Sequence, residues 1–225
     1  MLLARREEPL QAVAGELGAE YEVCDVGDRE AVERVAAAVA KRHARIGLLI
    51  NNAGIPGRRS FLAIDPQRIE EVLRVNYLGS VWCLKAFLPA LEADAPAHVV
   101  NVVSVAGVVA VPVSGPYSAS KHAQAAFSRS AAAELRGRGV HVHTVYPGFV
   151  ETEGFPQRGV LGSRAMDRIV IEPERVAQAI VRAVERNRRE VFVPAWFRLP
   201  ALVQALAPSA LGRLLASRSY RREGK

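Results

Sequence analysis

IGLLINNAG, residues 46–54, joins a nearly continuous apolar run, 46–51, to the turn Asn51-Asn52-Ala53-Gly54. A run of that kind marks a strand buried on both faces, the situation of a parallel sheet covered by helices. Gly54 permits a tight turn and a close backbone approach at its end. The segments on either side repeat the alternation. Upstream, residues 1–4 read as the end of a strand and 8–17 as a helix stopped by Gly18. YEVCDV (21–26) reads as a strand, and Asp28 caps a helix over 29–43. Downstream, Asp65-Pro66 opens a helix reaching about residue 92, and HVVNVVS (98–104) is a β-branched buried strand. A helix runs from about Pro116 to about Arg136, where glycines end it. VHVHTV (140–145) is a strand, Pro173 opens a helix to about Asn187, and EVFVP (190–194) is a last strand. Strands alternating with helices define an α/β fold, a doubly wound parallel sheet. The stretch 149–171 is long, Gly-bearing and irregular, which fits a functional loop such as a lid.

The 225 residues suit one α/β domain, taken as 1–195 with an apolar and basic tail at 196–225. Hydrophobic residues make up 50% of the chain, so a large core can form. The net charge of +7 comes from arginines spread along the sequence without aromatic interleaving. That pattern reads as a solvated surface, and no nucleic-acid partner is expected. Cys24 and Cys83 lack CxxC spacing, which fits a reducing cytosol and a cytoplasmic protein. MLLARREEPL has no signal-peptide pattern, and no run of about 18 apolar residues occurs. His141 and His143 share a strand face with no third ligand evident, so no metal is expected.

The chemistry-bearing residues gather where such a sheet binds ligands, outside the carboxyl ends of its strands. Ser104 ends a buried strand. Thirteen positions on, Tyr117 and Lys121 in YSASK stand four apart near a helix start and share a face. A free phenol, with a pKa near 10, is a poor base at neutral pH. A lysine cation about 4 Å away, at an effective dielectric near 20, stabilises the phenolate by roughly 4 kcal/mol. The expectation is therefore a phenol titrating near working pH, a general acid/base with Ser104 bonded to the reacting oxygen. Asn76, in RVNYLGS, puts a polar side chain on the buried face of a helix, where it needs partners. PGFVET (147–152) follows a strand and offers Thr152 to a ligand amide.

Taken in order, CDV, NNAG, Asn76, Ser104, YSASK and PGFVET resemble the short-chain dehydrogenase/reductase family over essentially all of residues 1–195. The resemblance implies an oxidoreductase that interconverts a carbonyl and a secondary alcohol with a nicotinamide cofactor. Tyr117 would give the proton to the substrate carbonyl. Lys121 would lower the Tyr117 pKa and bind ribose hydroxyls, Ser104 would place the carbonyl, and Asn76 would hold a relay water. Asp25 and Val26 would contact the adenine. Asn52, Ala53 and Gly54 would line the cofactor, and Pro147, Gly148, Val150 and Thr152 would flank the nicotinamide. Arg5 and Arg6 fall where the family reads the 2′-ribose substituent, and arginine there favours NADP(H) over NAD(H). A binding or regulatory protein that shares the fold without the activity is the second reading.

One family feature is absent from residues 1–225: the first strand and its TGxxxGxG loop, which holds the pyrophosphate at a helix N-terminus. That strand is central in the 3-2-1-4-5-6 order. Strands 1–4 and 46–51 would then face a gap lined by unpaired backbone groups, each costing perhaps 1–3 kcal/mol if buried. The favoured expectation is that Met1 is an internal methionine, ahead of a relic that has lost cofactor binding. Residues 1–225 alone are expected to show no saturable NADPH binding. Phe149, Phe155, Val160, Leu161, Met166 and Ile169, with Val105 and Val109, suggest an apolar pocket for a lipophilic carbonyl or alcohol. Residues 199–215 are expected to form short amphipathic helices, broken at Pro200 and Pro208. These would pack in a homo-oligomer, a dimer or tetramer, in preference to lying on a membrane.

Overall fold

The computed structural model describes residues 1–152, 156–157 and 168–223. Six parallel strands run through them: β1 (Leu2–Ala4), β2 (Tyr21–Val23), β3 (Leu48–Asn51), β4 (Ala97–Val102), β5 (Val140–Pro147) and β6 (Glu190–Val193). The connecting helices are α1 (Glu7–Leu17), α2 (Arg29–Arg42), α3 (Pro66–Leu73), α4 (Gly79–Ala93), α5 (Gly115–Glu134) and α6 (Pro173–Glu185). Two helices close the chain, α7 (Arg198–Leu206) and α8 (Pro208–Glu223).

The ends of these elements follow from their sequence. Gly18 takes the left-handed conformation at φ 59° and stops α1. The Asp28 carboxylate accepts from the backbone N–H groups of Glu30 and Ala31, which opens α2. Asp65 caps α3 through Gln67, with Pro66 in the first turn. The strand expected over 21–26 is shorter, because the Asp25 carboxylate folds back to accept from the Gly27 N–H at 2.8 Å. The helix expected from residue 66 to about 92 is present but carries a π-turn at Arg74–Leu78. Pro200 sits in the first turn of α7 without breaking it, whereas the chain does break before Pro208.

The strands form two sheets. β1 pairs with β2, and β3-β4-β5-β6 form a second sheet in that order. Among the described residues no ladder joins β1 to β3. This corrects one expectation. Strand 46–51 is not buried on both faces, for Leu48 and Ile50 are each 44% exposed. Apolar patterning marks a residue that suits a covered strand, but cover also requires a neighbour, and β3 lies at the sheet edge. β4 and β5 are the true centre, with Val99, Val100, Val140 and Val145 fully buried. The two sheets still share one core, in which Cys24, Val32 and Val39 meet Leu84, Phe87, Leu91 and Val99. On the opposite face α6 packs Val176 and Ala179 against Val100 and Val145.

Candidate active site

Ser104, Tyr117 and Lys121 meet beyond the carboxyl end of β4. Ser104 follows β4 and begins a short 3-10 turn, accepting from the Ala106 N–H at 3.1 Å. Gly107 ends that turn against α5. A Cβ at this position would lie 2.5 Å from Val103 Cγ1 and 2.7 Å from the Lys121 carbonyl, so only glycine lets the serine turn approach the Tyr117 helix so closely. The Tyr117 hydroxyl is hydrogen-bonded to Ser104. Lys121 is 3% exposed. Its amine donates to the Val102 carbonyl at 3.0 Å and to Gln124 Oε1 at 2.8 Å, and lies 6.0 Å from the centre of the Tyr117 ring.

The electrostatics differ from the expectation. Burial pushes the Tyr117 phenol above its usual pKa, and the Ser104 hydrogen bond opposes that only in part. Burial also lowers Lys121 from 10.5 to about 7. The expected acidification assumed an ammonium beside the phenol, but loss of water around both groups outweighs that attraction here. A phenol protonated at neutral pH is the form a proton donor requires.

Lys121 therefore leaves a signature on stability. The unfolded chain protonates this lysine below pH 10.5 and the folded chain only below about 7. Between those values the unfolded state holds the extra proton, so stability should rise with pH. Burial raises Cys83 from 9.0 to about 12, which works the other way above pH 9. His98 and His143 are lowered from 6.5 and act below that value. Denaturant unfolding between pH 7 and pH 9 should thus show stability rising toward about 1.4 kcal/mol per pH unit. In Lys121→Met the rise should vanish. Equal slopes in both proteins would contradict a buried, deprotonating Lys121.

Asn76 is fully buried in the π-turn. Its amide oxygen accepts from the Ile55 N–H at 2.7 Å, and its nitrogen donates to the Ile55 carbonyl at 3.0 Å and to Ser120 Oγ at 3.1 Å. The side chain thus clamps the segment after Asn52-Ala53-Gly54. A Cβ on Gly54 would lie 3.4 Å from Asn76 Oδ1 and 3.7 Å from Lys121 Nζ. These groups converge on one spot. Pro147 ends β5, its carbonyl 3.5 Å from Ser104 Oγ. The Gly148 N–H donates to Val193, and Val150 pairs with Ile171 just before Thr152.

The adenine end is less assembled. Asp25 faces Arg5 at 3.7 Å, and Arg5 also stands 4.0 Å from Glu71, so its guanidinium is shared between carboxylates. Arg6 is exposed at the start of α1, and Val26 packs on Gly79. Phe155, Val160, Leu161 and Met166 lie outside the described residues. Ile169 is half-buried.

Asn51, read from the sequence as able to tie neighbouring strand ends, donates to Asn101 at 2.9 Å. Several further residues that build the site were not singled out from the sequence: Asn101 donates to Ser128 at 2.9 Å, and Ser128 meets Thr144 at 2.7 Å. This buried polar chain ties α5 to β3, β4 and β5. Its signal was the asparagine inside HVVNVVS, a polar residue in a strand otherwise apolar. Gln124, 1% exposed, holds the Lys121 amine from the next turn of the same helix.

The nicotinamide half of the cofactor suits these residues, since Gly54 leaves space beside a buried amine and the Ser104–Tyr117 pair is adjacent. The residues 1–225 contain no glycine-rich turn for its pyrophosphate.

The sequence pattern of the short chain dehydrogenases matches residues 1–159. The chain belongs to the short-chain dehydrogenase/reductase family, a family of oxidoreductases. Dehydrogenase/reductase SDR family member 7B of Danio rerio is 31% identical over 244 residues, covering 100% of this chain and 79% of the relative. Epidermal retinol dehydrogenase 2 of Homo sapiens is 31% identical over 86% of this chain and 63% of its own length. A crystal structure of a short chain dehydrogenase from Burkholderia cenocepacia in complex with NADP superposes with a TM-score of 0.78, at 30% identity, over 95% of this chain and 84% of that one. The chain spans 63% to 79% of the length of these relatives, and less than two-thirds of several of them.

Proposed function

We propose that this protein interconverts a carbonyl and a secondary alcohol with NADP(H), Tyr117 acting as the general acid/base. The observation that carries the reading is the half-buried Tyr117, its hydroxyl bonded to Ser104 at the end of β4, with the buried Lys121 amine nearby. In the direction of reduction, Ser104 Oγ and the Tyr117 hydroxyl both donate to the substrate oxygen. The phenolic proton passes to that oxygen as the carbonyl is reduced. Ser104 and the Lys121 amine then stabilise the phenolate until it regains a proton. The cofactor, when bound, supplies the hydride. Asn76 acts by fixing Ile55 and so the turn at Gly54.

NADP(H) is favoured by Arg5 and by solved relatives described as NADP complexes. A lipophilic substrate is favoured by Val105 and Phe149, which share an apolar cluster beside the serine turn, and by a relative named for retinol. A panel of retinoid, steroid, acyl and sugar carbonyls, assayed with NADPH on a chain extended by a glycine-rich unit, tests this. Turnover of a lipophilic aldehyde or ketone is expected, and turnover confined to sugars would contradict it. The reading as a non-catalytic binding protein draws on one observation, the unpaired edges of β1 and β3. The same assay separates the two, since a binding protein would reduce nothing after extension.

A further inference from the structure

Helix α7 is amphipathic in the inverted sense. Leu199, Leu202, Val203 and Leu206 recur at intervals that place them on one face, and they are 66%, 55%, 43% and 76% exposed. Trp196, one turn earlier, is 44% exposed and continues the stripe. The polar residue Gln204 faces inward, and its Oε1 accepts from the Ala110 N–H at 3.3 Å. A helix folded to serve the core alone would have the opposite arrangement.

The helix is also fixed in place. Phe197 is 6% exposed and packs beside Tyr146 and Phe149. It lies so close to Gly148 that a Cβ there would meet its ring at 2.1 Å. The apolar stripe is thus mounted on the Ala110 segment, between Ser104 and Tyr117, and on the loop after β5.

Charge decides what covers it. From Val191 to Arg222 the sequence has five arginines and no acidic residue. Arg198 and Arg213 are exposed beside the stripe. A groove between α6 and β6 reaches Ala195 and is lined by Arg175, Arg182, Arg186 and Arg188, with no carboxylate. A two-fold contact through the stripe would bring two arginine-bearing copies of this segment together, with no acidic residue between Val191 and Arg222 to offset them. A surface both apolar and anionic meets both demands. At nine residues, α7 is too short to cross a bilayer, which takes about 20.

We infer that the α7 face, with its flanking arginines, seats the protein on an anionic lipid surface, Trp196, Leu199, Leu202 and Leu206 entering the headgroup boundary. This stands apart from the reaction proposed above, though it would set the Ser104–Tyr117 wall close to the bilayer.

Co-sedimentation of the 225-residue chain with phosphatidylcholine vesicles, with and without one-third phosphatidylserine, tests the inference. Binding to the anionic vesicles should exceed binding to neutral ones at least about tenfold, and should fall as salt shortens the screening length from about 10 to 3 Å. The triple variant Leu199→Asp, Leu202→Asp, Leu206→Asp should lose the same factor while keeping its circular dichroism and melting temperature. Arg198→Gln with Arg213→Gln, which leaves the residues of the apolar stripe unchanged, should weaken binding to anionic vesicles and leave neutral ones unchanged. Wild-type indifference to vesicle charge, or undiminished binding by the arginine variant, would overturn the inference. So would a dimer by light scattering that the triple variant dissolves, since the face would then belong to a second copy.

Discussion

NADPH should bind residues 1–225 without saturation in the micromolar range, and should bind saturably once a strand–TGxxxGxG–helix unit is joined ahead of Leu2. The physical reason is the break between the sheets. Among the described residues β1 and β3 each present an unpaired edge, and Leu48 and Ile50 are exposed where a covered parallel strand would bury them. A strand paired to both edges would satisfy those backbone groups and bury the two side chains. It would also bring a helix N-terminus to the pyrophosphate, the anion such a terminus favours. The expected gain in affinity is at least about 100-fold, or about 3 kcal/mol. If Arg5 meets the 2′-phosphate as proposed, NADPH should bind more tightly than NADH. Fluorescence titration of both proteins with both cofactors measures this. Micromolar NADPH binding by residues 1–225 alone would contradict it, as would an extended chain that folds and still does not bind.

Loss of the phenolic oxygen should be the most damaging single change to turnover. In the extended chain, Tyr117→Phe should lower kcat by about 10²–10⁴, the range that a positioned general acid contributes. The ring keeps its packing, so folding should be unaffected. Ser104→Ala removes one of two donors to the substrate oxygen, and about 10²-fold is expected from it. By comparison, Tyr146→Phe should matter little to kcat. Tyr146 is fully buried and stacks on Phe192, but its hydroxyl faces Glu190, away from the site.

Much of this was legible in the sequence, and the failures have physical causes. Local signals worked: Asp28, Asp65-Pro66 and Gly18 mark helix ends because capping depends on a few adjacent atoms. The apolar runs at 98–104 and 140–145 are central strands because they have neighbours on both sides. The run at 46–51 has the same composition, yet its outer edge is bare, and composition carries no knowledge of a neighbour. Spacing placed Tyr117 and Lys121 on one face, but the direction of their pKa shifts depends on how completely the site is closed to water. Gln124, which holds the buried Lys121 amine, and Gly107, which lets the serine turn meet α5, are not recorded by a pairwise motif. The π-turn at Asn76 was hidden because an extra residue in a helical turn leaves no simple period. Helix α7 was foreseen as a short amphipathic helix, whereas the side it turns outward is set by Phe197 and Gln204, which only packing reveals.

The most direct test of the catalytic role of Tyr117 measures NADPH affinity and kcat together on the extended chain and its Tyr117→Phe variant. The account predicts a dissociation constant unchanged within about twofold and a kcat reduced by at least about 100-fold, because the phenol transfers a proton and does not hold the fold together. A variant that keeps kcat within about tenfold of the parent, or that loses cofactor affinity and turnover in parallel, would contradict it.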